Sequence, residues 1–341
     1  MAAALAHSHA ARRRDDGLYP TNLLRDLRQI ADLIEICFGP NLDAGGRSAV
    51  WEMKLLARLA PLLWLMTLVD IEGAGLGQGY VWRTDGRVVG NVSLYRGGTH
   101  PRLGRGWLIA NVAVHPDHRR RGIARALMRA ALDMAFQRGR WVALQVEADN
   151  QAAVALYESL GFERFETLAQ WQTGCVRVDR LPELDERART VRVRLTDEAA
   201  AESDLIYNRA RLGGMAWTRP IEPSDIVDSL LGVAKERWIL PAFGQPGRFG
   251  GVLWVESTGW RQSRLTLFLD PALEDPAARR ALLVRALRQP TLQGRALRLE
   301  AVADDPPVDD LLRSVGFRRE RSLIQMRRSA GPDADRPGRG E

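Results

Sequence analysis

The stretch Asn111-Val112-Ala113-Val114-His115-Pro116-Asp117-His118-Arg119-Arg120-Arg121-Gly122-Ile123-Ala124 decides the fold. Trp107 to Val114 is apolar and rich in β-formers, which predicts a central strand. Gly122 to Gln137 has amphipathic helical spacing, with Gly139 to end it. Between them lies a basic loop that contains one glycine. A strand that runs through such a loop into a helix can hold an anion. The first helical N–H groups lack intrahelical partners, and the helix dipole is positive at that end. Gly122 lets backbone approach a phosphate closely. Arg119, Arg120 and Arg121, with Arg125 one turn further on, add charge suited to a diphosphate and a ribose phosphate. The competing reading is a solvated, Arg-rich turn that merely starts a helix.

Working outward, the loop segment has a counterpart. Val112-Ala113-Val114-His115-Pro116 corresponds to Leu267-Phe268-Leu269-Asp270-Pro271, and Glu158-Ser159-Leu160-Gly161-Phe162 to Arg313-Ser314-Val315-Gly316-Phe317. Both pairs are 155 residues apart, so the segment between them aligns without a gap. Inside it, Leu144 meets Leu299 and Ala148-Asp149 meets Ala303-Asp304. Upstream, Gly86-Arg87-Val88-Val89-Gly90 resembles Gly247-Arg248-Phe249-Gly250-Gly251. Ordered matches of this kind predict two copies of one fold.

Copy one reads as helices over Arg25–Phe38 and Ser48–Leu68, then strands Gly79–Arg83 and Val88–Tyr95 joined by the hairpin signal Thr84-Asp85-Gly86. The central strand and long helix follow, then a strand over Val142–Glu147, a helix over Gln151–Ser159 ended by Gly161, and final strand material over Glu163–Gln172. Copy two repeats this order from Val191 to Arg327, after a polar linker containing Pro182.

Composition sets outer bounds. The chain has 341 residues, 45% hydrophobic and 27% charged, an ordinary globular balance for two domains. The net charge of +7 is almost all arginine, since lysine occurs only at Lys54 and Lys235. These arginines are scattered among Asp and Glu, and no nucleic-acid-binding module accompanies them, so nucleic acid is not the expected partner. Cys37 and Cys175 have neither disulfide-framework nor metal-ligand spacing, which fits a reducing cytoplasm. The most apolar stretch, Leu55 to Val69, contains Arg58 and Pro61 and is too short to span a membrane. His115 and His118 form His-x-x-His with no further ligand nearby in sequence, so no metal is expected.

The loop resembles motif A of the GNAT N-acetyltransferase superfamily, Arg/Gln-x-x-Gly-x-Gly/Ala, here Arg119-x-x-Gly122-x-Ala124. It continues into a second family signature over Asn150–Phe162, with Asn150, Ala153, Leu156-Tyr157, Gly161 and Phe162 in place. The pattern around Tyr157 is close to that of N-terminal protein acetyltransferases. The resemblance covers copy one, roughly residues 20–175, and copy two only weakly. It implies an α/β (α+β) chain of two tandem GNAT-like domains, each a mixed, mostly antiparallel sheet flanked by helices. The expected division is a disordered tail over 1–17, an acetyl-CoA-binding catalytic domain over 18–178, a linker over 179–190, a degenerate domain over 191–328 and a disordered tail over 329–341.

The resemblance also implies roles. Val112, Ala113 and Val114 would line the pantetheine arm of acetyl-CoA through their backbone, while strand alternation predicts Val112 and Val114 side chains in the core. Arg120, Arg121, Gly122, Ile123, Ala124 and Arg125 would form the pyrophosphate pocket through main-chain N–H groups, with Arg119 beside them. Asn150 would contact the cofactor, or cap the following helix. Tyr157 would protonate the departing thiolate, or be a buried aromatic beside Phe162. Relatives with the Tyr157-type signature often carry a glutamate base where this chain has Gln145. Glu147, two residues on and on the same strand face, is the substitute candidate; a water relay or an already neutral amine would also serve.

Copy two departs from the pattern. Glu274, Ala277 and Arg279 stand at the positions of Arg119, Gly122 and Ala124, Pro276 at that of Arg121, and Leu312 at that of Tyr157. Acidic residues there would repel a diphosphate. This resembles tandem GNAT proteins such as the mycothiol-forming acetyltransferases, except that there the second domain is the active one. The expected activity is acetyl transfer from acetyl-CoA to an amine of a small molecule or protein. The alternative is a non-catalytic acyl-CoA-binding or regulatory module. Leu42–Trp51 and Gly97–Gly106 are candidates for the acceptor rim, without a motif that names a substrate.

Overall fold

The computed structural model describes residues 16–39, 44–58, 78–100, 104–183, 191–193, 205, 233–242, 248–258 and 262–330. The described chain forms two compact units. Unit one comprises Met1–Leu144, Ser159–Gly161 and Arg327–Glu341; unit two comprises Gln145–Glu158 and Phe162–Met326. The tails expected at 1–17 and 329–341 lie mostly outside the described residues, as does the Pro61 break. Gly17 already belongs to a strand.

Unit one begins with β1 (Gly17–Pro20), α1 (Leu23–Phe38) and α2 (Ala44–Arg58). The strands β2 (Gln78–Thr84) and β3 (Arg87–His100) form the expected hairpin. Asp85 and Gly86 take left-handed backbone, φ 51° and 75°, which a two-residue turn of this hand needs. Then come β4 (Gly104–Val114), α3 (Ile123–Arg138) and β5 (Trp141–Glu147), whose last three residues belong to unit two. The strand order is β1-β2-β3-β4-β5. All neighbours are antiparallel except β4 and β5, which are parallel.

The start of α1 is fixed by Asn22, whose side chain accepts from the Arg25 N–H, and by Asp26, which accepts from the Asn22 N–H at 2.9 Å. Asp26 is fully buried and takes both its oxygens to Arg83 Nη2, at 2.8 and 2.9 Å. The same guanidinium lies over the Tyr19 ring at 4.8 Å. One ion pair therefore ties α1 to β2. Removing one partner strands a buried charge, so Asp26→Ala is expected to destabilise the protein by about 3–5 kcal/mol. Urea unfolding of the two proteins checks this.

Unit two contains α4 (Gln151–Ser159, its last residue in unit one), β6 (Glu163–Thr173), β7 (Val191–Val193), β8 (Val233–Pro241), β9 (Phe249–Thr258) and β10 (Gln262–Leu269). They are followed by α5 (Pro276–Leu287), β11 (Ala296–Val302), α6 (Pro306–Ser314) and β12 (Arg318–Ser329). Its strands run β12-β6-β11-β10-β9-β8-β7. Again one pair, β10 and β11, is parallel within antiparallel company.

The repeat is visible in the packing. A Cβ on Gly90 would meet Ile123 Cγ2 at 2.8 Å and Leu127 Cδ1 at 3.0 Å. A Cβ on its counterpart Gly251 would meet Leu269 Cδ2 at 2.8 Å and Leu282 Cδ1 at 3.0 Å. In both copies a glycine on the second hairpin strand lets the long helix lie against the sheet.

The repeating unit of sequence and the packing unit do not coincide, however. Both neighbours of β6, the last strand of copy one, come from copy two: β11 on one side and β12 on the other. Leu297 to Val302 pair antiparallel with Thr173 to Leu168. Trp171, 1% exposed, is buried in a cluster with Trp238, Leu253, Leu299 and Phe317.

Candidate functional site

The basic loop opens where β4 leaves its neighbours. β4 pairs with β3 as far as Val114, but with β5 only over Gly106–Ile109. Past Ile109 the two parallel strands part, so the β5-facing edge of β4 lacks that ladder over the next residues. Asn111 has φ 52°, and the register with β3 shifts between Asn91 and Ser93, so β4 carries one extra residue there.

This bulge corrects the alternation expected from sequence. Ala113, not Val112 or Val114, is in the core, where it packs with Ile30, Ile34 and Val81; both valines are half-buried. Before the bulge the odd positions face the other side, where Trp107 meets Gly139 at the end of α3. The Val114 carbonyl accepts from Cys37 Sγ at 3.4 Å and from Arg119 Nε at 3.2 Å. Burial raises the Cys37 thiol pKa, partly offset by Arg119.

Beyond Val114, Pro116–His118 makes one turn of 3₁₀ helix, pinned by the His115 N–H to the Val89 carbonyl at 2.8 Å. Arg120 has left-handed backbone at φ 61°, and Gly122 follows at φ 80° as the N-cap of α3. Gly122 offers no side-chain cap, and the first helical bond runs from the Ala126 N–H to its carbonyl. The N–H groups of Ile123, Ala124 and Arg125 precede that bond and have no intrahelical acceptor. A Cβ on Gly122 would meet nothing within 4 Å, so the space before this helix end is open. Arg119, Arg120 and Arg121 are exposed; Arg121 Nη2 donates to the Asp117 carbonyl at 3.0 Å and so braces the loop. His115 and His118 face each other edge-on at 5.8 Å. Among the described residues no three His, Cys, Asp or Glu gather as a metal would need.

Glu147, Asn150 and Tyr157 lie in unit two. Glu147 pairs with Arg321 Nη1 of β12 at 3.0 Å, and Arg321 Nε also donates to Gln170 Oε1 at 2.6 Å. The Ala148 N–H donates to the Ser322 carbonyl at 3.0 Å. Asn150 acts as the cap of α4: its Oδ1 accepts from the Ala153 N–H at 3.2 Å. Tyr157 is 6% exposed and tilts against Phe162, ring centroids 6.0 Å apart. Burial pushes its phenol up to about 12.

Copy two fills its own counterpart site. Pro276 at the first position of α5 has no N–H, and Asp275 accepts from the Ala277 and Ala278 N–H groups at 3.1 and 3.3 Å. The helix end is thus capped from within. Arg279 pairs with Asp305 and donates to the Leu273 carbonyl at 2.6 Å. Both side chains line a cavity of about 350 Å³ whose walls include Leu267, Leu269 and Ala303. The bulge is missing as well. Leu144 and Leu299 are 155 apart, but their strand partners Ile109 and Leu265 are 156 apart, and β10 runs against β9 from Gln262 to Leu269 without a register shift.

Sequence reading passed over one group. Asn91, Ser93 and Tyr95 alternate along β3, and Asn111 joins them from the bulge. Asn91 Nδ2 donates to the Asn111 carbonyl at 2.9 Å and to Ser93 Oγ at 3.2 Å. Asn111 Nδ2 reaches Tyr95 Oη at 3.3 Å and Ser93 Oγ at 3.4 Å. The signal was present: Asn-x-Ser-x-Tyr in an apolar strand puts three polar groups on one face.

A mixed sheet whose one parallel pair parts at a bulge, above a basic loop and an uncapped helix end, defines a class of protein. Such an arrangement is able to hold an extended, anion-bearing ligand along a strand edge. Residues 44–162 match the model of the Acetyltransferase (GNAT) family. It is similar to N-alpha-acetyltransferase RimI of Mycobacterium tuberculosis, 42% identical over 82 residues, 24% of this chain and 49% of that one. It is also similar to the mycothiol acetyltransferase of Clavibacter sepedonicus, 29% identical over 231 residues, 64% of this chain and 72% of that one. The chain spans about half the length, or less, of the curated relatives it matches first. Among solved structures, a tandem GNAT protein from the clavulanic acid biosynthesis pathway superposes with a TM-score of 0.51 over 92% of this chain and 98% of that one. At 17% identity this shows the fold alone. No helix among the described residues is long and apolar enough to cross a membrane.

Proposed function

We propose that the protein transfers an acetyl group from acetyl-CoA to an amine, with the ligand held by copy one. The observation that carries this reading is the helix end at Gly122: left-handed, without a side-chain cap, and open where a Cβ would stand. The diphosphate would rest on the N–H groups of Arg120 to Arg125, with Arg119, Arg120 and Arg121 supplying charge. The pantetheine arm would pair along Val112, Ala113 and Val114, where β4 has no ladder to β5, as a strand would. Asn150, besides capping α4, would contact the same ligand.

Acetyl transfer needs an acid for the leaving thiolate and a route for the amine proton. Tyr157 is the proposed acid, and its burial keeps the phenol protonated at any working pH. Glu147 is a weaker proposal for the base, because its carboxylate is committed to Arg321. An amine that arrives neutral needs no base, and an α-amino group, at a reference pKa near 8, does so far more than a lysine near 10.4.

The acceptor would be an amine of a protein or of a small molecule, the two classes that a ribosomal-protein alanine acetyltransferase and a mycothiol acetyltransferase among the relatives represent. The first copy would span 18–178 and the second 191–328. Copy two, self-capped by Asp275, would not hold acetyl-CoA in the same way. The working loop would then be that of the first copy. The two free thiols, Cys37 and Cys175, suit a cytoplasmic setting.

The test is release of CoA thiol from acetyl-CoA in the presence of peptides with free α-amino groups, Nα-blocked lysine peptides, amino sugars and cysteinyl amines. Turnover with one class is the expected outcome. Tight acetyl-CoA binding with no turnover in any class would favour the binding or regulatory module instead.

A further inference from the structure

We propose that Asn91, set by Ser93, Tyr95 and Asn111, is the subsite that receives the N–H of the attacking amine. This rests on the acetyl-CoA reading above.

Asn91 is 1% exposed, and its Oδ1 has no hydrogen-bond partner. The orientation of the amide is not arbitrary. Nδ2 lies 2.9 Å from the Asn111 carbonyl, so a flipped amide would put two acceptors against each other. Oδ1 is thereby left as an acceptor in search of a donor. A buried carbonyl left unsatisfied has lost its hydration without return, and a bound N–H restores the missing hydrogen bond.

Place matters as much as chemistry. Asn111 sits at the point where β4 and β5 part, and Asn91 pairs with Ala113 across the bulge. From Val114 to Asn111 is about 10 Å of strand, at roughly 3.3 Å per residue. A ligand with its diphosphate at Gly122 and its arm along Val114, Ala113 and Val112 would bring its acyl end to this cluster. Asn111 and Ser93 hydrogen-bond the Tyr95 oxygen, and burial raises its phenol. The four side chains contain no carboxylate and no imidazole. The subsite can therefore hold and aim an amine but not deprotonate it, so it favours an amine that is already neutral.

Two CoA thioethers isolate this contact. S-carboxamidomethyl-CoA carries an NH₂ where the attacking amine would sit; S-acetonyl-CoA carries a methyl there. Titration calorimetry on the full chain is expected to show the amide ligand binding about tenfold more tightly, one hydrogen bond's worth. Asn91→Leu is expected to bind S-acetonyl-CoA as the wild type does and to lose the preference. Equal binding of the two ligands by wild type overturns the proposal, and does so whether or not the variant folds. A preference that survives in Asn91→Leu overturns it too. If wild type binds neither thioether, the acetyl-CoA reading itself has failed, a separate outcome that also removes the subsite.

Discussion

Tyr157→Phe is expected to lower kcat by about 10²–10⁴-fold while leaving acetyl-CoA affinity within a factor of two or so, the size of effect that removal of a general acid produces. The change deletes one oxygen and keeps the ring that packs on Phe162, so the fold has little reason to respond. The pH profile adds a sharper signature. An ordinary phenol loses its proton near 10, but burial holds Tyr157 up to about 12. The proton donor is present below that value and lost as pH rises through it. Wild-type kcat should therefore show no fall assignable to a phenol near pH 10. A Tyr157→Phe protein with undiminished kcat would remove this residue from the chemistry and leave it as a packing aromatic.

The second large effect concerns architecture. A chain ending at Glu183 contains all of copy one by sequence, yet it is expected not to fold as a cooperative unit. Such a chain keeps β6 but loses both of its neighbours, β11 and β12. Leu168, Ala169 and Trp171 would all lose their cover, being 0%, 0% and 1% exposed in the full chain. Uncovering one large aromatic costs about 3–5 kcal/mol, against a total stability of about 5–15 kcal/mol for a typical domain. The bare strand also offers an edge for aggregation. Circular dichroism and size-exclusion chromatography of the truncated chain check this. A monomeric, cooperatively melting product would show that β6 finds another partner.

These two expectations differ in how far sequence could have reached them. The loop from Val114 to Ala124 was legible because its signals are local: arginines, one glycine and a helix start within a few residues. The ends of α3 and α4 were legible for the same reason, through Gly139 and Gly161. The strand exchange was not. β6 alternates like any strand, and nothing in Glu163–Thr173 says whether its partner lies 20 or 130 residues away. The bulge at Asn111 was hidden too, although one residue of backbone decides which face Ala113 takes. Alternation alone put Val112 and Val114 inside, because it assumes an unbroken ladder. The Asp26–Arg83 pair, 57 residues apart, has no local mark. Copy two shows the converse. Its acidic substitutions were visible in sequence, but only geometry reveals that Asp275 caps α5 in place of an outside anion.

The central claim is that Gly122 seats acetyl-CoA, and thermal unfolding with and without that ligand tests it most directly. At 100 times its dissociation constant a ligand adds about 2.7 kcal/mol, or roughly 5–10 °C in Tm at about 2–4 °C per kcal/mol. Wild type is expected to shift by that amount. Gly122→Glu puts a carboxylate into the open space proposed for the diphosphate, at a left-handed backbone angle that disfavours any side chain, so its Tm should not move with ligand. An unshifted wild type, or an equal shift in the variant, would contradict the site described for copy one.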